Sequence, residues 1–215
     1  MFEITILSDQ SSWINHYIPT LIQHLKQRSH QVNWVYQATE IKPGDFVFCL
    51  GCGQILSADI LRNNRHNLVI HESKLPQGKG WSPLTWQILE GYNDIPITLF
   101  EASKKVDSGT IYLSDRMIFK GTELVDELRQ VQAETSIQIC LTFVDRYPEV
   151  LEQGILPTGV SSFYRRRTQK DSQLDVDQSI REQFNLLRVA DNDRYPAFFE
   201  LHGEIYFIKI EKLRK

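Results

Sequence analysis

Apolar and polar positions along the chain fall in short blocks whose period switches between that of a strand and that of a helix. Glu3 to Leu7 (EITIL) is an apolar run of strand length. Behind it, Tyr17, Leu21, Ile22 and Leu25 recur at the spacing of one helical face, with Ser11 or Ser12 placed to cap the start. Gln31 to Tyr36 predicts the next strand, and Lys42-Pro43-Gly44-Asp45 turns into another at Phe46 to Leu50. A short helix through Ile60 and Leu61 precedes a strand at Leu68 to His71. Pro83 suits the first turn of a helix carrying Leu84, Ile88 and Leu89. Strands at Ile95 to Glu101 and Thr110 to Ser114 are expected to pair across the turn Val106 to Gly109 (VDSG). A long helical pattern, roughly residues 122–153, is broken near Pro148. Strands separated by helices predict an α/β fold with a mainly parallel sheet covered on both faces.

From about Thr158 the texture changes. FYRRRTQKDSQLDVDQ is polar and charged, a connecting arm rather than core. It leads to a predicted helix, Gln178 to Val189, capped by Asp175 or Asp177. Two strands, Ala197 to Leu201 and Glu204 to Ile210, close the chain as a hairpin at His202-Gly203. The expected organisation is a Rossmann-like domain over residues 1–157, then an arm, helix and short β-hairpin over 158–215 that pack on it.

Composition narrows the function classes. A chain of 215 residues suits one domain with a small appendage, and 41% hydrophobic residues supply its core. The net charge of −3 argues against a broad nucleic-acid surface while leaving room for a local basic pocket. The apolar runs fall well short of the ~20 residues that span a bilayer. MFEITILSDQ has an acid in its apolar run and no basic leader, so it is expected to be a strand rather than a signal peptide. A cytoplasmic protein with reduced cysteines follows as an expectation. Cys49 and Cys52 form a Cys-x-x-Cys, but Cys140 is the only other cysteine, so no second pair completes a metal site. Cys49 lies inside FVFCL and reads as a small hydrophobe.

The candidate chemistry sits at strand exits. His71 ends an apolar strand before a loop rich in Gly, Lys and Pro, and Asp107 lies in a Gly-containing turn after another strand. An open α/β sheet places its working groups at such C-terminal tips, which points to acid–base chemistry. Alone, His71 would be read as a core histidine and Asp107 as ordinary turn chemistry; together they say more. Gly51-Cys52-Gly53 follows a later strand and lacks the third glycine of a dinucleotide fingerprint, so NAD is not expected, although a flat ligand can approach that backbone closely. Arg165-Arg166-Arg167 with Lys170 is either a solvated face or a fork for a substrate phosphate. Trp81 and Trp86 flank Pro83 and serve either as core or as a stacking surface.

The run His71-Glu72-Ser73-Lys74-Leu75-Pro76, then Gly80 and Pro83, and later Asp107-Ser108-Gly109, resembles the motifs of the folate-dependent formyltransferases in order, spacing and strand–loop context. That family carries N-x-H-x-S-L-L-P-x-x-x-G-x-x-P and then D-x-G. Gly53-Gln54-Ile55-Leu56 looks like its loop beside the pterin pocket, and the arginine-bearing arm, LDVDQSIREQFNLLRV and Tyr195-Pro196-Ala197-Phe198 resemble its linker helix and following turn. One position departs: the family's asparagine is Val69 here, which has no side-chain donor. Asn67 shares its strand face but lies on the order of 13 Å from His71. Ser73, Gln54 or a backbone amide is left to fill the role.

The resemblance implies transfer of a formyl group from N10-formyltetrahydrofolate to an amine. His71 would aim a donor at the formyl oxygen as charge grows there, and Asp107 would take the amine's proton or hold the ring, with coupled titration. Gln54, Ile55, Leu56, Lys105 and Val106 would hold the folate; Lys79, Trp81, Arg165 and Arg167 are the candidates for substrate contact. The tRNA-formylating relatives add a C-terminal barrel that holds RNA, and the purine-pathway relatives lack this ending. The arm and Tyr-Pro turn look most like a sugar N-formyltransferase acting on a nucleotide-linked amino-deoxysugar, of the type found with pseudaminic (nonulosonic) sugars. A tRNA-formylating enzyme and a non-catalytic folate- or nucleotide-binding module are the alternatives. No metal and no membrane are expected, and the terminal strands suit a homodimer.

Overall fold

The computed structural model describes residues 1–213. Strand β1 (Glu3–Leu7) leads through a 3-10 turn, Trp13–His16, to helix α1 (Ile18–Gln27) and strand β2 (Gln31–Val35). Strand β3 (Gly44–Cys49), helix α2 (Ala58–Asn63) and strand β4 (Asn64–His71) follow. After the two-residue strand β5 (Lys79–Gly80) come helix α3 (Pro83–Leu89), strands β6 (Asp94–Glu101) and β7 (Ile111–Ile118), and the long helix α4 (Val125–Asp145). The remainder holds the short strand β8 (Phe163–Tyr164), helix α5 (Phe184–Arg188) and the hairpin β9 (Ala197–Leu201) and β10 (Glu204–Ile208).

Six strands form one sheet in the order β2-β1-β3-β4-β6-β7. The β1–β2, β1–β3 and β3–β4 pairs are parallel, while β6 runs antiparallel to both β4 and β7. The connection from β6 to β7 is a short turn, which permits only antiparallel pairing, as expected across VDSG. One face of the sheet buries Ile4, Phe48, Leu68 and Ile70 against Leu21 and Leu25 of α1 and Leu128 and Phe143 of α4. The other buries Leu7, Val47 and Cys49 against Leu56 and, from α2, Ile60 and Leu61. Burial on both faces explains why the strands read as near-continuous apolar runs. The fold is the Rossmann-like α/β arrangement that the periodicity predicts.

Three elements differ from expectation. The first helix is not capped by a serine hydroxyl: a 3-10 turn intervenes, Ser12 makes no side-chain cap bond, and Pro19 sets the start of α1. The long helical pattern ends at Asp145, and past Pro148 a 3-10 turn at Glu149–Gln153 replaces it. The predicted helix from Gln178 to Val189 shrinks to Phe184–Arg188. Upstream, Ser179 and Glu182 bond each other's backbone and side chain, and the Gln183 amide bonds Asp175 at its N–H (2.6 Å) and C=O (2.9 Å). These local side-chain bonds outcompete a helical ladder on an exposed stretch with nothing to pack against.

The arm is not merely a connector. β8 pairs in parallel with β5, so residues 162–165 clasp the loop that leaves β4. Arg188 of α5 is fully buried, where it bonds Asn93 (2.8 Å), Asn185 (3.0 Å) and the carbonyl and carboxylate of Glu123. Burial draws its guanidinium below the usual arginine range. Leu174, Leu187, Ala190 and Ala197 form a small core under the hairpin. Burial raises the Cys49 thiol and pushes that of Cys52 up to about 11, which disfavours the reactive thiolate at both. No helix among the described residues is long and apolar enough to cross a membrane.

Candidate active site

His71 is the last residue of β4, 7% exposed, and follows Val69 on the face that looks toward α2. Its tip is fixed from the neighbouring strand, where Thr98 pairs with it and the Thr98 hydroxyl bonds the carbonyls of His71 (3.3 Å) and Ser73 (3.4 Å). His71 Nε2 lies 2.8 Å from the carbonyl of Gly78. A carbonyl only accepts, so Nε2 carries the hydrogen, and Nδ1 has no hydrogen-bond partner among the described residues. The nearest carboxylate is Asp107, with Oδ2 at 3.8 Å from the same Nε2. The structure therefore brings these two residues together from separate strand ends.

Asp107 is held by its turn and by the β4–β5 loop. Its φ is +49°, and Oδ2 accepts the Gly80 N–H at 2.9 Å. Two glycines make this approach possible. A Cβ on Gly109 would lie 1.7 Å from the Glu101 carbonyl, and one on Gly80, whose φ is +95°, would lie 2.5 Å from that of Tyr164. The loop is pinned further by Gly78 N–H to Ser162 Oγ (2.8 Å) and Trp81 N–H to the Tyr164 carbonyl (3.1 Å).

Val69 packs among Cys49, Leu75, Phe100 and Ile111 and offers the site only methyl groups. Asn67 turns away toward α2, donating to the Leu61 carbonyl at 3.2 Å, so it does not reach His71. Gln54 is committed as well: its amide donates to Asp9 Oδ1 and the Tyr36 carbonyl, and its oxygen accepts from Ala38, all at 2.9 Å. Ser73 differs. Its hydroxyl is buried with no partner among the described residues, and it sits against Gly78, the residue whose carbonyl receives His71.

The loops at the candidate folate positions adjoin, because Leu56 and Ala102 pack in one cluster. Leu56 is buried, whereas Ile55 is 75% exposed and Val106 49% exposed; the Lys105 carbonyl is taken by the hydroxyls of Ser103 and Ser108. Ile55 and Val106 are thus exposed apolar tips on these two adjoining loops.

The candidates for substrate contact divide. Trp81 stands on Gly53 at the mouth of the site, with the Arg166 guanidinium 5.0 Å from its ring centre. Lys79 is buried under Phe163, 5.8 Å from the ring centre. Arg165 pairs with Asp171 and lies over Trp86, and Asp171 is held well below the usual carboxylate range by that pairing. Arg167 is half-buried against the Asp171 carbonyl and Ser172, and burial lowers its guanidinium. These three serve the arm's own structure here.

Sequence reasoning passed over Glu72. Its carboxylate lies on the α4 side of β4, partly buried, and accepts from Gln132 at 2.6 Å. Desolvation raises its pKa, opposed in part by the neighbouring His71. The signal was an acid directly after a strand-tip histidine. Among the described residues no group of three or more His, Cys, Asp or Glu side chains is placed to hold a metal ion.

Residues 6–144 match the formyl transferase family model. The chain belongs to this family. The chain is 27% identical over 211 residues to the bifunctional polymyxin resistance protein ArnA of Wigglesworthia glossinidia brevipalpis, covering 93% of this chain and 30% of that protein. It thus spans about a third of that relative's length. Among solved structures it resembles a 4-N formyltransferase from Francisella tularensis (TM-score 0.75, 17% identity, 100% of this chain and 99% of that one). It also resembles a methionyl-tRNA formyltransferase from Clostridium thermocellum (TM-score 0.73, 18% identity, 97% of each chain). At such identities the likeness is one of fold.

Proposed function

We propose that this formyltransferase moves a formyl group from N10-formyltetrahydrofolate to the amino group of a nucleotide-linked amino-deoxysugar. The observation that carries the reading is the meeting of His71 and Asp107 at the end of β4, beside the loops 53–56 and 102–107. The arginine-bearing arm and the Tyr195-Pro196 turn, which look most like those of sugar N-formyltransferases, support an amino-sugar acceptor, and a net charge of −3 suits tRNA poorly. Among such sugars, the loop from His71 to Gly91 favours the pseudaminic type. The catalytic unit in this reading is residues 1–157, with 158–215 clasping it, in a cytosolic enzyme that pairs as a homodimer.

The donor supplies a formyl carbon on N10. The chain's residues supply the proton handling. Nε2–H is directed at the Gly78 carbonyl, with Asp107 at 3.8 Å, so this reading gives the unpartnered Nδ1 to the reacting groups. Protonated, Nδ1 donates to the oxygen where negative charge grows; unprotonated, it takes the proton that the attacking nitrogen sheds and returns it to N10 as the bond from N10 to the formyl carbon breaks. Asp107, 3.8 Å from Nε2, fixes the ring and balances its charge. Ser73 is the hydroxyl in place to donate where the family's asparagine is missing.

The test is incubation with N10-formyltetrahydrofolate and a panel of nucleotide-linked 3-amino and 4-amino sugars, read by mass spectrometry. One sugar should gain a formyl group, and His71→Ala and Asp107→Ala should each lower the rate by several orders of magnitude. Wild-type-like turnover in either variant overturns the assignment. Formylation of charged initiator tRNA instead of any sugar overturns the acceptor class, and folate binding with no transfer at all favours a binding module.

A further inference from the structure

A cavity of about 670 Å3 opens between the segment after β1, the start of α4 and the turn before β9, walled in part by Ser11, Trp13, Tyr17, Arg129, Asp191 and Arg194. Its size is that of a small-molecule site. Two connections tie it to His71. The strands β1, β3 and β4 are adjacent, so the exits of β1 and β4 stand two strand spacings, about 10 Å, apart. Along α4, Gln132 bonds Glu72 beside His71, while Arg129, about 4.5 Å earlier on the helix, bonds Asp191 at 2.7 Å on the cavity wall.

The cavity also lies on the opposite face from the folate candidates. Trp13 packs on the core beneath α1 and α4, whereas Leu56 and Ala102 at the foot of the folate loops belong to the α2 side. Two ligands can therefore approach His71 from different faces of the sheet without competing for space.

The wall chemistry selects the ligand. Trp13 presents a half-buried indole with the Arg129 guanidinium 5.9 Å from its ring centre. Asp191 neutralises Arg129. Arg194 gives one N–H to the Ser11 carbonyl at 3.0 Å and has no carboxylate partner among the described residues, so its other donors are free for an anion. The remaining acids, Asp126 and Asp193, are rim groups whose side chains are 93% and 86% exposed. One aromatic plate beside one uncommitted guanidinium suits a nucleobase and its phosphates.

Building on the reading above, we propose that this cavity holds the nucleoside diphosphate of the acceptor, with its base against Trp13 and its phosphates on Arg194. The amino sugar then spans the distance to His71. The full chain is titrated calorimetrically with UDP, dTDP, GDP and tetrahydrofolate as separate probes. One nucleoside diphosphate should bind, and Arg194→Gln and Trp13→Ala should each weaken it at least tenfold while leaving tetrahydrofolate affinity unchanged. Trp13 touches the core, so Trp13→Phe, which keeps the packing and loses part of the stacking area, is measured beside it and should fall between. A nucleotide that binds equally well to all three variants overturns the site but leaves the nucleotide-sugar reading standing. Failure of every nucleoside diphosphate to bind wild-type protein removes the nucleotide from the acceptor, and this site with it.

Discussion

At the tip of β4 three consecutive side chains do different jobs because the strand alternates. His71 looks toward the α2 face, Glu72 toward α4, and Ser73 back beneath Gly78. With Val69 partly buried among apolar neighbours and Gln54 fully bonded, the Ser73 hydroxyl, which has no partner among the described residues, is the side chain that the proposed reaction leaves to donate to the growing charge. Ser73→Ala is expected to lower kcat about a hundredfold with KM for folate little changed, measured in steady-state formylation. Glu72 gives a pH prediction. Its raised pKa means the folded state prefers the protonated acid, so that stabilisation is complete below the ordinary glutamate pKa and is lost as pH rises through the folded value. Glu72→Gln, which keeps the bond from Gln132, should therefore be more stable than wild type at pH 7 and indistinguishable from it near pH 4. Urea unfolding at both pH values decides; an equal gain at both would exclude the carboxylate as its cause.

At the level of elements, the arm and the β4–β5 loop hold each other, and the loop in turn holds Asp107. Tyr164 is the hub: it pairs with Gly80, stacks on Trp86 with centroids 6.1 Å apart, and bonds Glu90 at 2.8 Å. Gly80→Ala would drive a Cβ into the Tyr164 carbonyl and pull the Gly80 N–H from Asp107. We expect activity to fall at least tenfold while the circular dichroism spectrum is retained, because the six-stranded sheet does not depend on this contact. Helix α5 is anchored by one buried charge. Arg188→Met leaves Glu123 and Asn93 without their partner, and a loss of about 3 kcal/mol in unfolding free energy is expected from urea titration. Neither element was legible in full. Ile180, Phe184 and Leu187 recur at helical spacing, yet the serine, glutamate and glutamine side chains of 178–183 bond locally, and Ile180 is exposed. Arg188 reads as one more basic residue at the end of a helix, and only the converging Glu123, Asn93 and Asn185 show why it is inside.

For the whole molecule, the terminal hairpin leaves Leu201, Ile205 and Phe207 exposed, at 41%, 58% and 57%, on two strands that belong to no larger sheet. The proposed homodimer would cover them. Phe207→Asp should halve the mass seen by light scattering if they do; a wild-type chain that runs as a monomer at micromolar concentration dispenses with the idea. The charged arm shows how far a linear reading reaches. Arg165 and Arg167 stand in a basic run that suggests a phosphate grip, but Asp171, a few residues on, folds back to occupy one and the arm backbone the other. Arg166, in the middle of the same run, is the one set on Trp81 at the mouth of the site.

What the sequence determined by itself was local. Apolar period, turn residues and the order of His71, Gly80, Pro83, Asp107 and Gly109 specified the strands, the sheet type and the family, because strand and turn preferences are written in neighbouring residues. What only the tertiary structure decided was which side chains are engaged: Ser73 without a partner among the described residues, Gln54 and Arg165 already bonded, and a cavity assembled from residues near 11, 129 and 194. Availability of a polar group depends on partners far away in the chain, and their approach is set by the packing of α4, the arm and the sheet against one another.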